Sequence, residues 1–589
     1  MVGVGNVMPK TESSAATPWN SLPWMLLDLA RQGPDRPMLR HWRDGAWHSV
    51  TWGGFALRVA NVAAGLRAQG IAPGDRVLLV SDSRPEFPIA DTALMAIGAV
   101  PVPTYTTNTP SDHAHILADS GARAAIVSST ALADRVLAGA ALANGLDLLV
   151  CLEPPPAVSP GTRAVEWASL EATPGDLPLL LAEVEQIPNG RLACLIYTSG
   201  TGGLPKGVML PHRAMLANRD GVAALLARLP VAGQPYLSFL PLSHSYEHTV
   251  GCFLLPSLGL EVVYSRGADR LAAEFQEFRP AIVTAVPRLF EVLRGRILAQ
   301  IAKEPPFRQA LFRRALALGL RRLDGPWLGL WDRLQHLALD RLVGAKIRAR
   351  FGGRLQVLVS GGARLDPDLS GFFLAFGLPL VQGYGQSEAG PVVSVNLPWD
   401  NHRHGVGPPL PGVEARIAPD GELLVRGPLV MDGYWNNPDA TAIALRADEP
   451  GAPPWLHTGD VGRLTDGRIT ITDRKRDFIK TLGGDMVSPA KIESLLMAEP
   501  EIAQAVAAGE GQAAIVAILV PAEGMAEQVA AAVARVNARL SSIERVRRWV
   551  AAPAAFSVEN GLLTPTMKVK RRAVLERFRA EVATLYRQT

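Results

Sequence analysis

Three short apolar runs separated by helical patterns restrict the fold more than any other feature of this chain. Residues 76–80 (Arg-Val-Leu-Leu-Val), 100–105 and 124–127 (Ala-Ala-Ile-Val) read as strands, and residues 87–97 between the first two read as a helix. Strands that are apolar along their whole length are covered on both faces. Alternation with helices supplies that cover in a parallel sheet. Residues 152–160, with Pro154, Pro155, Pro156 and Pro160, read as a surface loop that closes this first α/β unit.

A second α/β unit opens at residues 192–196, read as a buried parallel strand, and breaks into Tyr197-Thr198-Ser199-Gly200-Thr201-Gly202-Gly203-Leu204-Pro205-Lys206-Gly207-Val208, before a helical pattern near His212. Backbone N–H groups approach phosphate oxygens only where side chains are absent, and hydroxyls and one lysine complete a set of donors. The loop is not a Walker A motif, because Lys206 precedes its glycine and no hydroxyl follows it. A flexible connector would account for the glycines, but not for strand, hydroxyls and lysine together.

Further strands are expected at 236–240, 281–285 and 355–359, with Pro287 in the first turn of a helix. Residues 293–350 form a long, basic helical stretch beside Trp327 and Trp331. It suits either a membrane surface or a solvated helical hairpin. Beyond Gly412, Pro419-Asp420-Gly421 and Asp466-Gly467 mark hairpin turns. The charged run 473–477 reads as the link to a small α+β domain, giving a division into 1–475 and 476–589. At 589 residues more than one domain is required. A net charge of +4 calls for no nucleic acid, and three scattered cysteines favour a reducing cytoplasm over a disulfide framework. No signal peptide is visible, and the longest apolar run, near 250–260, is too short to span a bilayer.

Taken in order, these motifs resemble the adenylate-forming superfamily of acyl-CoA synthetases, luciferases and peptide-synthetase adenylation domains. Ser238-Phe239-Leu240-Pro241-Leu242-Ser243-His244, Val286-Pro287-Arg288-Leu289-Phe290 and the segment Glu559 to Lys568 are most similar to long-chain fatty acyl-CoA synthetases. The fold so implied is α/β: two parallel-type subdomains, a β-rich subdomain and a small mobile C-terminal domain. The resemblance assigns Thr198, Ser199, Gly200, Thr201, Gly202, Gly203 and Lys206 to the ATP phosphates. It assigns Ser360, Gly361, Gly362, Ala363, Gly383 and Tyr384 to the adenine pocket, Asp460 with Arg474 to the ribose, and Ser387 to cofactor binding. Glu388, with Thr198, would hold Mg²⁺, since a hard cation takes carboxylate and phosphate oxygens. Asp460 on its own would read as a turn residue.

Lys568 is the residue implied for the first step, bridging a carboxylate and an anionic α-phosphate that otherwise repel. Lys570, Arg571 and Arg572 read as a solvated basic patch, which Lys568 could also join. His244 would sit at the mouth of the acyl pocket, orienting the acid or simply structural. Gly483 and Gly484 would line the thiol channel after the small domain rotates about Arg476, or form a tight turn. Three positions depart from the family pattern: Gly202 where a threonine is usual, Met567 where a glycine is usual before the lysine, and Arg364 where a proline is common. The first removes a hydroxyl donor and predicts weaker nucleotide binding. No aspartate lies in 235–250, which favours an acid without an α-amino group. The reaction implied is activation of a medium- or long-chain fatty acid by Mg-ATP to an acyl-adenylate, followed by transfer to coenzyme A. An acyl carrier protein as acceptor, or an inactive lipid-responsive scaffold, are the rival readings. A cytoplasmic protein, with or without peripheral membrane contact, is expected.

Overall fold

The computed structural model describes residues 19–198, 204–325, 329–475, 479–482, 486–564 and 568–587. The first unit is a parallel five-stranded sheet in the order Val100–Pro103, Arg76–Val80, Ala124–Val127, Leu148–Cys151, Arg163–Glu166. Helices Glu86–Ala96, Pro110–Ser120 and Thr130–Ala141 alternate with its strands, as the apolar runs require. The central three strands are buried almost throughout.

An eight-stranded sheet forms the second unit. Its inner strands Leu380–Gly385, Val357–Ser360, Ile282–Ala285, Pro235–Ser238 and Glu261–Tyr264 run parallel. Its far edge comes from an unexpected place. Strand Pro37–Arg43 pairs parallel with Glu261–Tyr264, and Ala46–Thr51 folds back on it. The first sheet therefore does not take all the early strands, because the two earliest serve the second sheet.

The strand expected at 192–196 is present as Leu192–Thr198, but it is antiparallel to Lys206–Pro211, which in turn pairs with Gly433–Tyr434. The parallel expectation fails for a physical reason. Cys194 and Ile196 enter one apolar core while Leu195 and Tyr197 enter another, so the strand is covered on both faces whatever the direction of its partner. The motif therefore spans a hairpin rather than a strand-to-helix turn.

Beyond it lies an antiparallel sheet built on Glu414–Ile417, Glu422–Arg426, Trp455–Thr465 and Arg468–Arg474. Asp466 and Gly467, with φ of 49° and 73°, supply the left-handed pair that a two-residue hairpin turn needs. The C-terminal part pairs Ile502–Ala508, Ile515–Pro521 and Val546–Ala551 and buries two apolar clusters of its own, one around Ile492, Leu519 and Val533, the other around Phe556 and Phe578. The molecule is thus α/β with a large N-terminal part and a small α+β C-terminal part. All three cysteines are buried and free. Among the described residues no helix is long and apolar enough to cross a membrane.

Candidate active site

The carboxyl ends of parallel strands are where open α/β sheets bind ligands, and a cavity of about 640 Å³ opens at that edge of the second sheet. Gly361 and Gly362 follow strand Val357–Ser360 there, and Gly383 and Tyr384 lie on Leu380–Gly385. A Cβ on Gly361 would stand 3.1 Å from the Tyr246 ring, on the wall of the same cavity, so a larger residue there would press that ring out of place. Ala363 is exposed and takes no part in the lining.

Tyr384 is locked from below. Its hydroxyl donates to Asp460 Oδ2 at 2.6 Å, and Arg474 Nε donates to Oδ1 at 3.1 Å, because Asp460 and Arg474 are partners across the hairpin. The carboxylate and burial together push the Tyr384 phenol well above its ordinary range, so it stays a donor. Each carboxylate oxygen has a second lone pair, so Asp460 keeps acceptor capacity. Behind it Glu422 accepts from Gly459 N, and Lys475 Nζ donates to Glu422 at 3.0 Å, which stiffens the turn.

On the opposite side Thr198 and Lys206 face each other across the hairpin mouth, and both line the cavity. The Lys206 ammonium stands 4.4 Å from the centre of the Tyr434 ring, whose hydroxyl donates to Glu388 Oε1 at 2.8 Å. Ser387, beside Glu388, exchanges a 2.7 Å hydrogen bond with Ser245. Ser199, Gly200, Thr201, Gly202, Gly203, Arg476, Gly483, Gly484 and Met567 lie outside the described residues.

Lys568 reaches the same cavity from the C-terminal part. Its backbone N–H donates to Thr564 Oγ1 at 3.0 Å and its carbonyl accepts from Thr564 N at 2.7 Å. Burial, and the charge of Arg474, lower the ammonium to about 8, against the pull of Asp460 and Glu388. Close by, His244 Nδ1 accepts the Tyr246 backbone N–H at 3.1 Å, which leaves Nε2 as the protonated nitrogen. Burial and Lys568 lower this imidazole to about 3, so it is a neutral donor at physiological pH. Of the basic residues that follow Lys568 in sequence, Arg571 is not in a solvated patch as expected: it is clamped to both oxygens of Glu493 at 2.6 Å.

The remainder of the cavity is apolar and was not legible in the motifs. Val222, Leu225 and Leu229 recur at helical spacing along and just past helix His212–Leu226, opposite Val250 and Leu254. Val250–Leu254 is a π turn, with Leu255 N–H bonded to the Val250 carbonyl; Pro256, lacking an N–H, cannot continue the α-helical ladder there. Trp399, 45% exposed, marks the outer end, with the Arg228 guanidinium 5.6 Å from its ring centre. Under the floor Glu247 is fully buried and accepts from Tyr236, Ser238 and Thr284 at 2.6–3.2 Å. Burial raises its carboxyl to about 7 despite these donors.

The cavity suits a nucleotide: Gly361 leaves a cradle, and the buried Tyr246 hydroxyl and Gln386 Nε2 on its wall have no partner among the described residues. Glu388 and Thr198 both line the cavity and carry oxygen atoms of the kind a hard cation takes. Among the described residues no cluster of three metal-binding side chains exists, so such an ion would need phosphate oxygens as well.

Residues 27–435 match the AMP-binding enzyme family, and residues 476–589 match the AMP-binding enzyme C-terminal domain. The long-chain-fatty-acid–CoA ligase FadD15 of Mycobacterium tuberculosis is 34% identical over 95% of this chain and 96% of its own. Long-chain-fatty-acid–CoA ligase 1 of Cavia porcellus is 30% identical over 87% of this chain and 79% of its own. In fold, the chain is similar to the adenylation domain of a carboxylic acid reductase from Segniliparus rugosus solved with AMP and a co-purified carboxylic acid. That likeness has a TM-score of 0.73 at 19% identity, covering 96% of this chain and 94% of the other. The anthranilate CoA ligase AuaEII, solved with anthranoyl-AMP, gives a TM-score of 0.72 at 19% identity over 97% and 100%.

Proposed function

This chain belongs to the AMP-binding enzyme family and is an AMP-forming fatty acid–CoA ligase; from that premise we propose that its substrate is a medium- or long-chain acid activated at the cavity around Lys568. The observation that carries this reading is one continuous cavity. It joins the Tyr384–Asp460–Arg474 cluster, the Lys568 ammonium and the apolar corridor ending at Trp399.

In this reading the adenine lies against the Tyr384 ring and Gly361, with Asp460 accepting the ribose hydroxyls. Lys206, Thr198 and the loop between them take the phosphates. Mg²⁺, held by Glu388 and Thr198 with phosphate oxygens, would neutralise charge on the departing pyrophosphate. His244 donates Nε2–H to one carboxylate oxygen of the acid and aims the other at the α-phosphorus. Lys568, charged below about pH 8, lies between the two anions and stabilises the charge that builds as they meet. The new bond is between carboxylate oxygen and α-phosphorus; the bond broken is that to pyrophosphate. In the second step the CoA sulfur attacks the acyl carbon and AMP leaves with the electron pair. We assign that step to a rotation of the domain from residue 476 onward, with Gly483 and Gly484 lining the thiol channel.

The acyl chain runs past Val222, Leu225 and Leu229 toward Trp399. Each buried CH₂ contributes roughly 0.8 kcal/mol, so a corridor of this kind separates long from short acids well and neighbouring lengths poorly. An acid screen tests the reading: ATP–pyrophosphate exchange with C4 to C18 acids, with and without CoA or a phosphopantetheinylated carrier. Exchange that peaks at C10–C18 and thioester formation with free CoA support it. Exchange confined to short or aromatic acids, or transfer to the carrier alone, would overturn it.

A further inference from the structure

We propose that the outer face of helix Leu330–Leu339, with its continuation to Arg350, is a docking surface for an anionic lipid bilayer. Of this helix only Leu339 is buried. Leu330, Leu334 and Leu337 recur at i, i+4 and i+7 and form a ridge on the side away from Leu339, 78%, 51% and 54% exposed. Trp331 flanks that ridge at 73% exposure, and Leu342, one turn further, is 55% exposed. Single exposed leucines need no explanation, but a row of five large apolar side chains on one helix does.

Charge selects the occupant. Residues 330–350 contain two acids and five cations. Both acids are turned away from the ridge or neutralised: Asp332 accepts from Arg314 at 2.9 Å and Arg321 at 2.8 Å on helix Pro306–Asp324, and Asp340 pairs with Arg348 at 2.6 Å. Arg341 and Lys346 are exposed on or beside the apolar row. Leucines that enter the acyl boundary, a tryptophan at its edge and basic side chains extending to headgroup phosphates form the pattern of an interfacial helix. A second copy of this chain fits poorly, because a two-fold contact would set these cations against their own images.

The binding measurement uses the full chain and needs neither acid nor ATP, so it stands apart from the catalytic reading, which enters only as a control on the variants. Sedimentation with vesicles of phosphatidylglycerol and phosphatidylcholine is compared with sedimentation in pure phosphatidylcholine. The protein is expected to partition onto the anionic vesicles and to be released by salt. A Leu330→Ser/Leu334→Ser/Leu337→Ser variant and an Arg341→Glu/Lys346→Glu variant should each lower partitioning about tenfold, with exchange on octanoate unchanged. Leu334→Ser alone, expected to cost severalfold, replaces the triple variant if that one melts at lower temperature. No binding to either vesicle, or variants that bind as the parent does, would overturn the proposal. So would a serine variant that converts a dimer of the parent to monomer, which would assign the face to a second copy.

Discussion

The two sides of the cavity are built differently. The wall from the large domain is made of groups that hold one another: Tyr384 and Arg474 share Asp460, Tyr434 holds Glu388, and three hydroxyls hold the buried Glu247. The other side is one lysine on a short turn, tied by two bonds to Thr564, feeling Asp460 and Glu388 through charge rather than through a hydrogen bond. Groups that satisfy one another are preorganised and can bind both substrates at little reorganisation cost. In the proposed reaction a cation with few local ties would be delivered and withdrawn, its charge serving the chemistry rather than the fold.

The sharpest way to break that contrast is Lys568→Ala. Acid-dependent ATP–pyrophosphate exchange should fall by about 10²–10³, while transfer from supplied acyl-adenylate to CoA changes less than about threefold. Retention of exchange within tenfold would show that the wall alone performs the first step.

Titration sharpens the same point with a smaller effect. Burial favours the neutral amine, and only the ammonium can bridge two anions. Adenylation kcat/KM should therefore hold steady from pH 6 to 7.5 and fall as pH rises through about 8, roughly tenfold per unit beyond it. His244, neutral above about pH 3, contributes no break in that range. A profile flat to pH 10 would mean that the lysine is not the group in play.

A still smaller effect tests the wall. Tyr384→Phe keeps the ring and removes its donor to Asp460, a hydrogen bond to a charged group of the kind that contributes about 1.5–3 kcal/mol net. Because Arg474 still holds the carboxylate, KM for ATP should rise about five- to tenfold with kcat nearly constant. A fall in kcat with unchanged KM would move Tyr384 from nucleotide binding to chemistry.

The contrast also explains what could be read in advance. Strands 76–80 and 124–127 and the turn at Asp466-Gly467 are local: an apolar run or a left-handed pair of residues is visible in a few letters. The cluster of motifs around Gly361, Tyr384, Glu388 and Asp460 was legible through resemblance, and the structure brings these residues together. Legibility failed where a property depends on a distant partner. Leu192–Thr198 reads the same whether its neighbour is parallel or antiparallel, and Pro37–Arg43 gives no sign of joining a strand more than two hundred residues away. Glu247 looks like any surface carboxylate until Tyr236, Ser238 and Thr284 close around it. The acyl corridor is least legible of all, because Leu225, Leu229 and Trp399 are ordinary core letters that only the folded chain sets opposite one another.

That corridor supplies the smallest expected effect. Trp399 is at the outer end of the cavity, half out of solvent, its ring held by Arg228 rather than packed in the core. Truncation to alanine removes the far stop while leaving the nucleotide wall and Lys568 untouched, so activity on an acid too short to reach it should be unchanged. For acids that do reach it, each added CH₂ that stays buried is worth roughly 0.8 kcal/mol, about fourfold in kcat/KM. The expected outcome for Trp399→Ala is thus an optimum displaced by about two carbons toward longer acids, read as a severalfold rise in the kcat/KM ratio of the longer acid over the parent's best one. If instead all chain lengths weaken together, the ring supports the wall rather than limiting the tail, and the acyl chain leaves the cavity by another side.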